Sequence, residues 1–344
     1  MSRPYLLIRA DASPRIGTGH IMRCLALAQA WQTDVGQACF LTSSEIAALE
    51  DRLRVEGFEV LLHTESLGGQ KDAENTVAVA RDMAAKVIVV DGYHFDATYQ
   101  RRLKTAGFRV LVVDDNAHAD HYFADWVLNQ NIYAHEGLYT NREPYTQLLL
   151  GTRYALLRRE FWLWRGWQRQ IEPVGRKVLV TLGGSDPDNV TLKVIQALQQ
   201  VELPDLEAIV VVGGSNPHFA ELQAAIKTTD RRIILQRNVT DMPKLIAWAD
   251  MAIAAGGSTC WELAFMGLPG ILIVLAKNQE LLIDRLHMLG AFKSLGWYHL
   301  LKVSHLSESL KRLVLSFEYR QSMYKACIAT VDGVGSFRTI CSIC

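Results

Sequence analysis

The chain has 344 residues, 49% of them hydrophobic and 21% charged, with 36 basic residues balanced by 36 acidic ones. That is enough chain for two domains with substantial cores, and the apolar content excludes a disordered protein. The charge balance offers no global attraction for nucleic acid or an anionic membrane, which leaves a small anionic molecule as the partner to expect.

The first predicted element is an apolar strand over residues 5–10, followed by Asp11-Ala12-Ser13-Pro14-Arg15-Ile16-Gly17-Thr18-Gly19-His20 and a helical apolar spacing over 21–31. Strand, glycine loop and helix start in that order are how α/β proteins build sites at strand ends. The alternative is a tight turn beside which His20 is merely polar. The dinucleotide fingerprint needs a third glycine where Met22 stands, so nicotinamide and flavin are disfavoured and no cofactor is expected. The leading residues lack a signal peptide's basic segment, apolar core and cleavage site, and a cytoplasmic protein is expected.

Further strands are predicted over 39–42, 59–63, 87–91 and 109–114, separated by helical patterns such as 73–84 and 97–106. This alternation predicts an α/β fold with parallel strands and right-handed crossovers. The strand ending at Asp91 delivers Gly92 and Tyr93 to the rim that carries His20. Asp114, Asp115, His118, Asp120 and His121 follow the next strand without ordered ligand spacing, so no metal site is expected. Residues 155–175 carry arginines and three tryptophans, which predicts a connection packed on one or both lobes rather than a solvated linker.

The pattern then restarts. Three apolar runs, 178–184, 208–214 and 251–257, each end in Gly-Gly-Ser at Ser185, Ser215 and Ser258. On parallel strands of one sheet such turns line a rim with donors suited to a pyrophosphate, although any one copy also serves simply to turn strand into helix. After the third come Thr259 and Glu262, the latter expected to be exposed near a helix start, where its carboxylate accepts from a ribose diol or favours the helix dipole. The strand after that ends in Lys277-Asn278-Gln279. The longest apolar stretch, 263–276, is broken by Gly267, Pro269 and Gly270 and is too short to span a bilayer. The six cysteines, Cys24, Cys39, Cys260, Cys327, Cys341 and Cys344, form no disulfide framework. G-x-S-x-G, H-E-x-x-H and Walker A motifs are absent.

In order, Arg9-x-Asp11-x-Ser13, Ile16-Gly17-x-Gly19-His20-x-x-Arg23, Gly151-x-x-Tyr154-Ala155-Leu156-Leu157-Arg158-x-Glu160-Phe161, Gly183-Gly184-Ser185-Asp186 with Asn189, and Lys277-Asn278-Gln279 resemble the UDP-sugar hydrolases of pseudaminic acid biosynthesis, relatives of the MurG-type glycosyltransferases. The resemblance implies a GT-B architecture, two Rossmann-like doubly wound lobes with a cleft between them. It implies a lobe over 1–155 on the sugar side, a connection over 156–175 and a UDP-binding lobe over 176–344, with the last helix expected to pack back on the first lobe. It further implies that His20 is the catalytic base, that Tyr93 and Asn278 sit beside the reacting sugar, and that Glu262 takes the ribose. Asp11 is the reserve base. Gly17, Gly19, Arg23, Gly183, Gly184, Ser185, Gly256, Gly257, Ser258, Thr259, Glu262 and Gln279 are the expected substrate-binding set. The family's Asp-His-Tyr reads Asp91-Gly92-Tyr93-His94 here. The expected substrate is a UDP-linked diacetamido-trideoxy sugar, hydrolysed without a metal by a chain expected to be monomeric and not inserted in a membrane. A glycosyltransferase with the same donor is the alternative; an inactive sensor and a dehydrogenase are weaker.

Overall fold

The computed structural model describes residues 4–13, 17–43, 46–227, 231–237 and 239–344. The chain divides into two compact units, Met1–Arg159 with Gly333–Cys344, and Glu160–Asp332.

Unit 1 runs β1 (Tyr5–Ala10), α1 (Gly19–Asp34), β2 (Gln37–Thr42), α2 (Ala47–Val55), β3 (Glu59–Leu62), α3 (Gln70–Asp82), β4 (Ala85–Asp91), α4 (Ala97–Thr105), β5 (Arg109–Val113), β6 (Trp126–Asn129) and β7 (Gln147–Leu150). Its sheet has the order β3-β2-β1-β4-β5-β6-β7, and the paired strands are parallel. Strands covered on both faces read as unbroken apolar runs, as Val87-Ile88-Val89-Val90 does in the middle of β4. Helix α4 starts where Asp96 accepts the Tyr99 amide at 2.8 Å. Because the chain moves outward from β1 to β3 and then returns past β1 to β4, a topological switch point lies at the carboxyl ends of β1 and β4. Strands β6 and β7 have no counterpart in the sequence reading.

Unit 2 comprises β8 (Lys177–Thr181), α5 (Val190–Gln200), β9 (Glu207–Val212), α6 (Phe219–Lys227), β10 (Arg232–Arg237), α7 (Met242–Trp248), β11 (Met251–Ala255), α8 (Thr259–Phe265), β12 (Gly270–Val274), α9 (Lys277–Met288), β13 (Lys293–Trp297), α10 (Val303–Leu315) and α11 (Phe317–Ile328). The order β10-β9-β8-β11-β12-β13 again places a switch point, here between β8 and β11. Leu306, Leu310, Leu313 and Val314 form the buried stripe by which α10 packs on α5, the spacing of one helical face. Unit 1 is completed by α12 (Gly335–Ile343), which packs on α1.

The tryptophan-rich segment begins unit 2 after the division between Arg159 and Glu160. Phe161 is buried and meets the Phe265 ring edge-on at 6.4 Å, whereas Trp167 is 38% exposed, so only part of the aromatic segment packs. Arg169 fixes it further, donating to the carbonyls of Ile246, Ala249 and Met266 while burial lowers its pKa to about 10. Among the described residues no helix is long and apolar enough to cross a membrane.

Candidate active site

On unit 1 the switch point gathers residues from three strand ends. The loop after β1 closes with Gly17 donating its amide to the Ser13 carbonyl at 2.7 Å, with φ of +79° at Gly17, a conformation that suits glycine. Ile16 of the expected motif lies outside the described residues. Gly19 then opens α1, and among the described residues beyond its chain neighbours and its own helix backbone no atom lies within 4 Å of the position a side chain would take there. His20 sits in the first turn, 8% exposed, with Arg23 one turn on.

Both turn toward Asp91, the last residue of β4. His20 Nδ1 lies 2.5 Å from Asp91 Oδ1, and Arg23 grips the same carboxylate with Nε and Nη2, each at 2.6 Å. An ionised carboxylate only accepts, so Nδ1 carries a proton, and in the neutral imidazole Nε2 is then the lone-pair nitrogen. The nearby Arg23 Nη2, 3.1 Å from Nδ1, is therefore a close positive charge rather than a second donor. Burial by itself would raise the Asp91 carboxyl, but Arg23 and His20 hold it well below the usual carboxylate range. Arg23 also reaches Asp115 Oδ2 at 2.9 Å, and the Tyr93 hydroxyl donates to Asp115 Oδ1 at 2.8 Å. Tyr93, 40% exposed, stands edge-on to His20 with ring centroids 5.3 Å apart.

Asp11 belongs to a second, buried network. It accepts from Arg9 Nη1 at 2.5 Å and from the Ser43 amide and hydroxyl at 2.7 and 2.8 Å, and His94 Nε2 lies 3.0 Å from its Oδ2. Although burial raises it, contacts with His94 and Arg9 push its carboxyl far below the ordinary value, which makes Asp11 a weak base. A Cβ at Gly92 would lie 2.8 Å from His94 Cε1, so the His94 ring occupies the space a side chain at 92 would need. That is the physical counterpart of the departure from Asp-His-Tyr.

Of the acids and histidines after β5, from which no metal site was expected, Asp114 serves its own loop. Asp114 accepts from the Asn116 and Ala117 amides at 2.8 and 3.1 Å and from the Tyr122 hydroxyl, with His118 Nδ1 at 3.3 Å, and so fixes its own loop. Among the described residues no group of three or more His, Cys, Asp or Glu is placed to hold a metal ion.

On unit 2 the three Gly-Gly-Ser turns follow the adjacent strands β9, β8 and β11, but they are not equivalent. Gly183 takes φ of +93° to turn the chain after β8. Asp186 then accepts from the Val190 and Thr191 amides, each at 2.9 Å, so the first donors of α5 are already occupied. The turn after β9 serves its neighbour: Ser215 Oγ donates to the Gly184 carbonyl at 2.8 Å, and a Cβ at Gly213 would lie 2.0 Å from that oxygen. The turn after β9 is thus spent inside the sheet edge, and Ser215 was not among the expected substrate-binding residues. After β11, Gly256 packs against Ile283 and Gln279, whereas Gly257 faces open space beside Ser258 and Thr259.

Glu262 stands in the first turn of α8 as expected, but it is 7% exposed rather than exposed, on a helix buried from Cys260 to Ala264. Asn278, the second residue of α9, is exposed on the same unit. Gln279 is partly engaged inside, its Oε1 accepting the Leu275 amide at 3.0 Å, and Lys277 pairs with Glu280. His20, Arg23 and Tyr93 are thus brought together on unit 1, and Asn278, Glu262 and the glycine turns lie on unit 2. Asp91, His94 and Asp72 were not named as candidate site residues, and Asp115 was named only within the polar loop after β5; the signal for Asp91 was a carboxylate closing an apolar strand.

Residues 178–332 match the model of the Glycosyltransferase family 28 C-terminal domain. The chain is 26% identical to the spore coat polysaccharide biosynthesis protein SpsG of Bacillus subtilis over 96% of this chain and 95% of that one. It is 27% identical to the UDP-2,4-diacetamido-2,4,6-trideoxy-beta-L-altropyranose hydrolase of Campylobacter jejuni over 80% of this chain and 93% of that one. It also spans 56% of the length of an uncharacterized Methanocaldococcus jannaschii protein, at 25% identity over 80% of this chain. The crystal structure of Acinetobacter baumannii MurG superposes with a TM-score of 0.67 at 16% identity, covering 99% of both chains. The fold is that of MurG, two Rossmann-like α/β units, and the resemblance read from the motifs extends to relatives that include such a hydrolase.

Proposed function

We propose that this protein is an enzyme acting on a UDP-sugar, and specifically a hydrolase that releases UDP from a UDP-linked diacetamido-trideoxy sugar. The observation that carries the reading is the His20–Asp91 pair at the switch point of unit 1, a histidine whose Nδ1 is committed to a carboxylate and whose Nε2 is the basic nitrogen. In the proposed step a water oxygen attacks the anomeric carbon, His20 Nε2 takes the water's proton, and the bond from that carbon to the phosphate oxygen breaks with its electrons leaving on UDP. Unit 2 is assigned the nucleotide, with the turns at Gly183–Ser185 and Gly256–Ser258 as donors to the pyrophosphate and Glu262 as acceptor for the ribose. The hydrolase from Campylobacter jejuni supports the reaction class. The MurG fold and the family 28 domain favour the alternative, a glycosyltransferase using the same donor.

The test is UDP release from a panel of UDP-acetamido sugars, with and without sugar or lipid acceptors, in isotope-labelled water. The expected result is release without acceptor and label on the sugar's anomeric hydroxyl. Release that requires an acceptor would establish the transferase instead.

Glu262→Ala is expected to weaken UDP binding by about 1.5–3 kcal/mol, the worth of a hydrogen bond to a charged group, measured by calorimetry on a variant whose thermal unfolding is also recorded. Unchanged affinity would remove Glu262 from the nucleotide site.

A further inference from the structure

The residues around His20 form one continuous chain of charge-assisted contacts: His20 to Asp91, Asp91 to Arg23, Arg23 to Asp115, and Asp115 to Tyr93. Two carboxylates share one guanidinium, so the set carries one uncompensated negative charge until His20 takes up a proton, and then none. Arg23 lies close to both partners of the pair, 2.6 Å from Asp91 and 3.1 Å from His20 Nδ1, so it partly cancels the carboxylate that favours the imidazolium. Among the described residues, helix α1 contributes Arg23 and Cys24, whose Sγ lies 3.4 Å from Asp91 Oδ2, and β4 and its loop contribute Asp91 and Tyr93. The loop after β5 contributes Asp115, Asp114 and His118, whose ring centroid is 5.8 Å from that of Tyr93, and the loop after β6 contributes Tyr133, whose hydroxyl donates to the Asp115 carbonyl at 2.9 Å.

We propose that Asp91, Arg23 and Asp115 are positioning residues that act as a charge-balancing relay: Asp91 fixes the His20 tautomer and favours its protonation, Arg23 restrains that preference, and Asp115 draws Arg23 away while holding the Tyr93 hydroxyl in the same network. The inference rests on the proposed role of His20, but it makes a claim about the resting protein that needs no turnover. A buried ion pair kept only for stability would need neither a shared histidine nor a second carboxylate tying in an exposed tyrosine.

The experiment is a nuclear magnetic resonance titration of protein labelled with nitrogen-15 histidine, the His20 signals being assigned with His20→Asn. The wild-type imidazole is expected to show Nδ1 protonated and Nε2 unprotonated at high pH. Arg23→Gln is expected to move the titration midpoint of His20 up by about one unit, and Asp115→Asn to move it down by about half a unit, because opposite charges are removed at short and longer range. Opposite displacements are a signature that loosened packing would not produce. Asp115 is the partly exposed end of the relay, so Asp115→Asn carries the test if Arg23→Gln does not fold. An Nε2-protonated wild type, or a midpoint that stays fixed or rises in Asp115→Asn, would overturn the relay. If the midpoints move as stated while no UDP-sugar is hydrolysed, the relay stands and the hydrolase reading falls.

Discussion

His20→Asn is expected to lower UDP-sugar turnover about a hundredfold or more while leaving substrate affinity nearly unchanged, the separation produced when a positioned proton acceptor is lost and binding groups remain. Asparagine suits the test because its amide still offers a donor to Asp91 where His20 Nδ1 now stands, so the charge balance with Arg23 is kept and only the basic nitrogen is removed. Single-turnover measurements with calorimetric binding check both halves. Wild-type turnover is also expected to fall toward acid pH, since an imidazolium cannot accept the water's proton. Full turnover in the variant would take the base role from His20, and Asp11, held in its ionised form by Arg9, would be a poor successor.

Asp72→Ala is expected to destabilise unit 1 by about 3–5 kcal/mol, the usual result of removing one partner from a buried ion pair. Asp72 and Arg9 are fully buried, joined by two bonds of 2.9 Å, and Asp72 also accepts from the Tyr99 hydroxyl and the Gly68 amide. Hydrogen exchange of the β1 and β2 amides measures the loss; a change below about 1 kcal/mol would show that the network contributes little. The pair also has a pH signature. Burial raises the Asp72 carboxyl, but Arg9 brings it below its ordinary value, so as pH falls the unfolded chain binds the proton first. The stabilisation is therefore complete above the unfolded carboxyl pKa of about 3.9 and is lost as pH drops below it. Asp72→Ala is expected to flatten that acid limb.

What was legible in the chain were the strand-to-loop transitions. A parallel strand buried on both faces is an apolar run with an abrupt polar end, and the ends at Asp11, Asp91, Gly183 and Gly256 were visible for that reason. The strands β6 and β7 were not, because no α-helix separates β5, β6 and β7, so the strand–helix alternation that marked the others is missing there. The Arg9–Asp72 pair spans 63 positions and joins a strand to a helix, so no local pattern announces it. Asp115 looked like one acid in a polar loop, and only the fold brings it to Arg23, 92 positions earlier. Glu262 shows the opposite error: its place early in a helix suggested exposure, but α8 is buried from Cys260 to Ala264, and helix position alone does not report burial.

Unit 1 is interrupted in sequence. Its last helix, α12, is separated from the rest by the whole of unit 2, yet it lies close against the main body: Ser336 Oγ reaches the Leu157 carbonyl at 3.2 Å, and a Cβ on Gly335 would lie 2.3 Å from the Ala155 oxygen. During synthesis the first unit therefore leaves the ribosome unfinished, with the face of α1 that α12 covers open to water until α12 emerges. The second unit is translated as an insertion and can close before the first. A nonsense mutation near residue 332 would thus spare the unit it follows and damage the one made earliest, the one that carries His20.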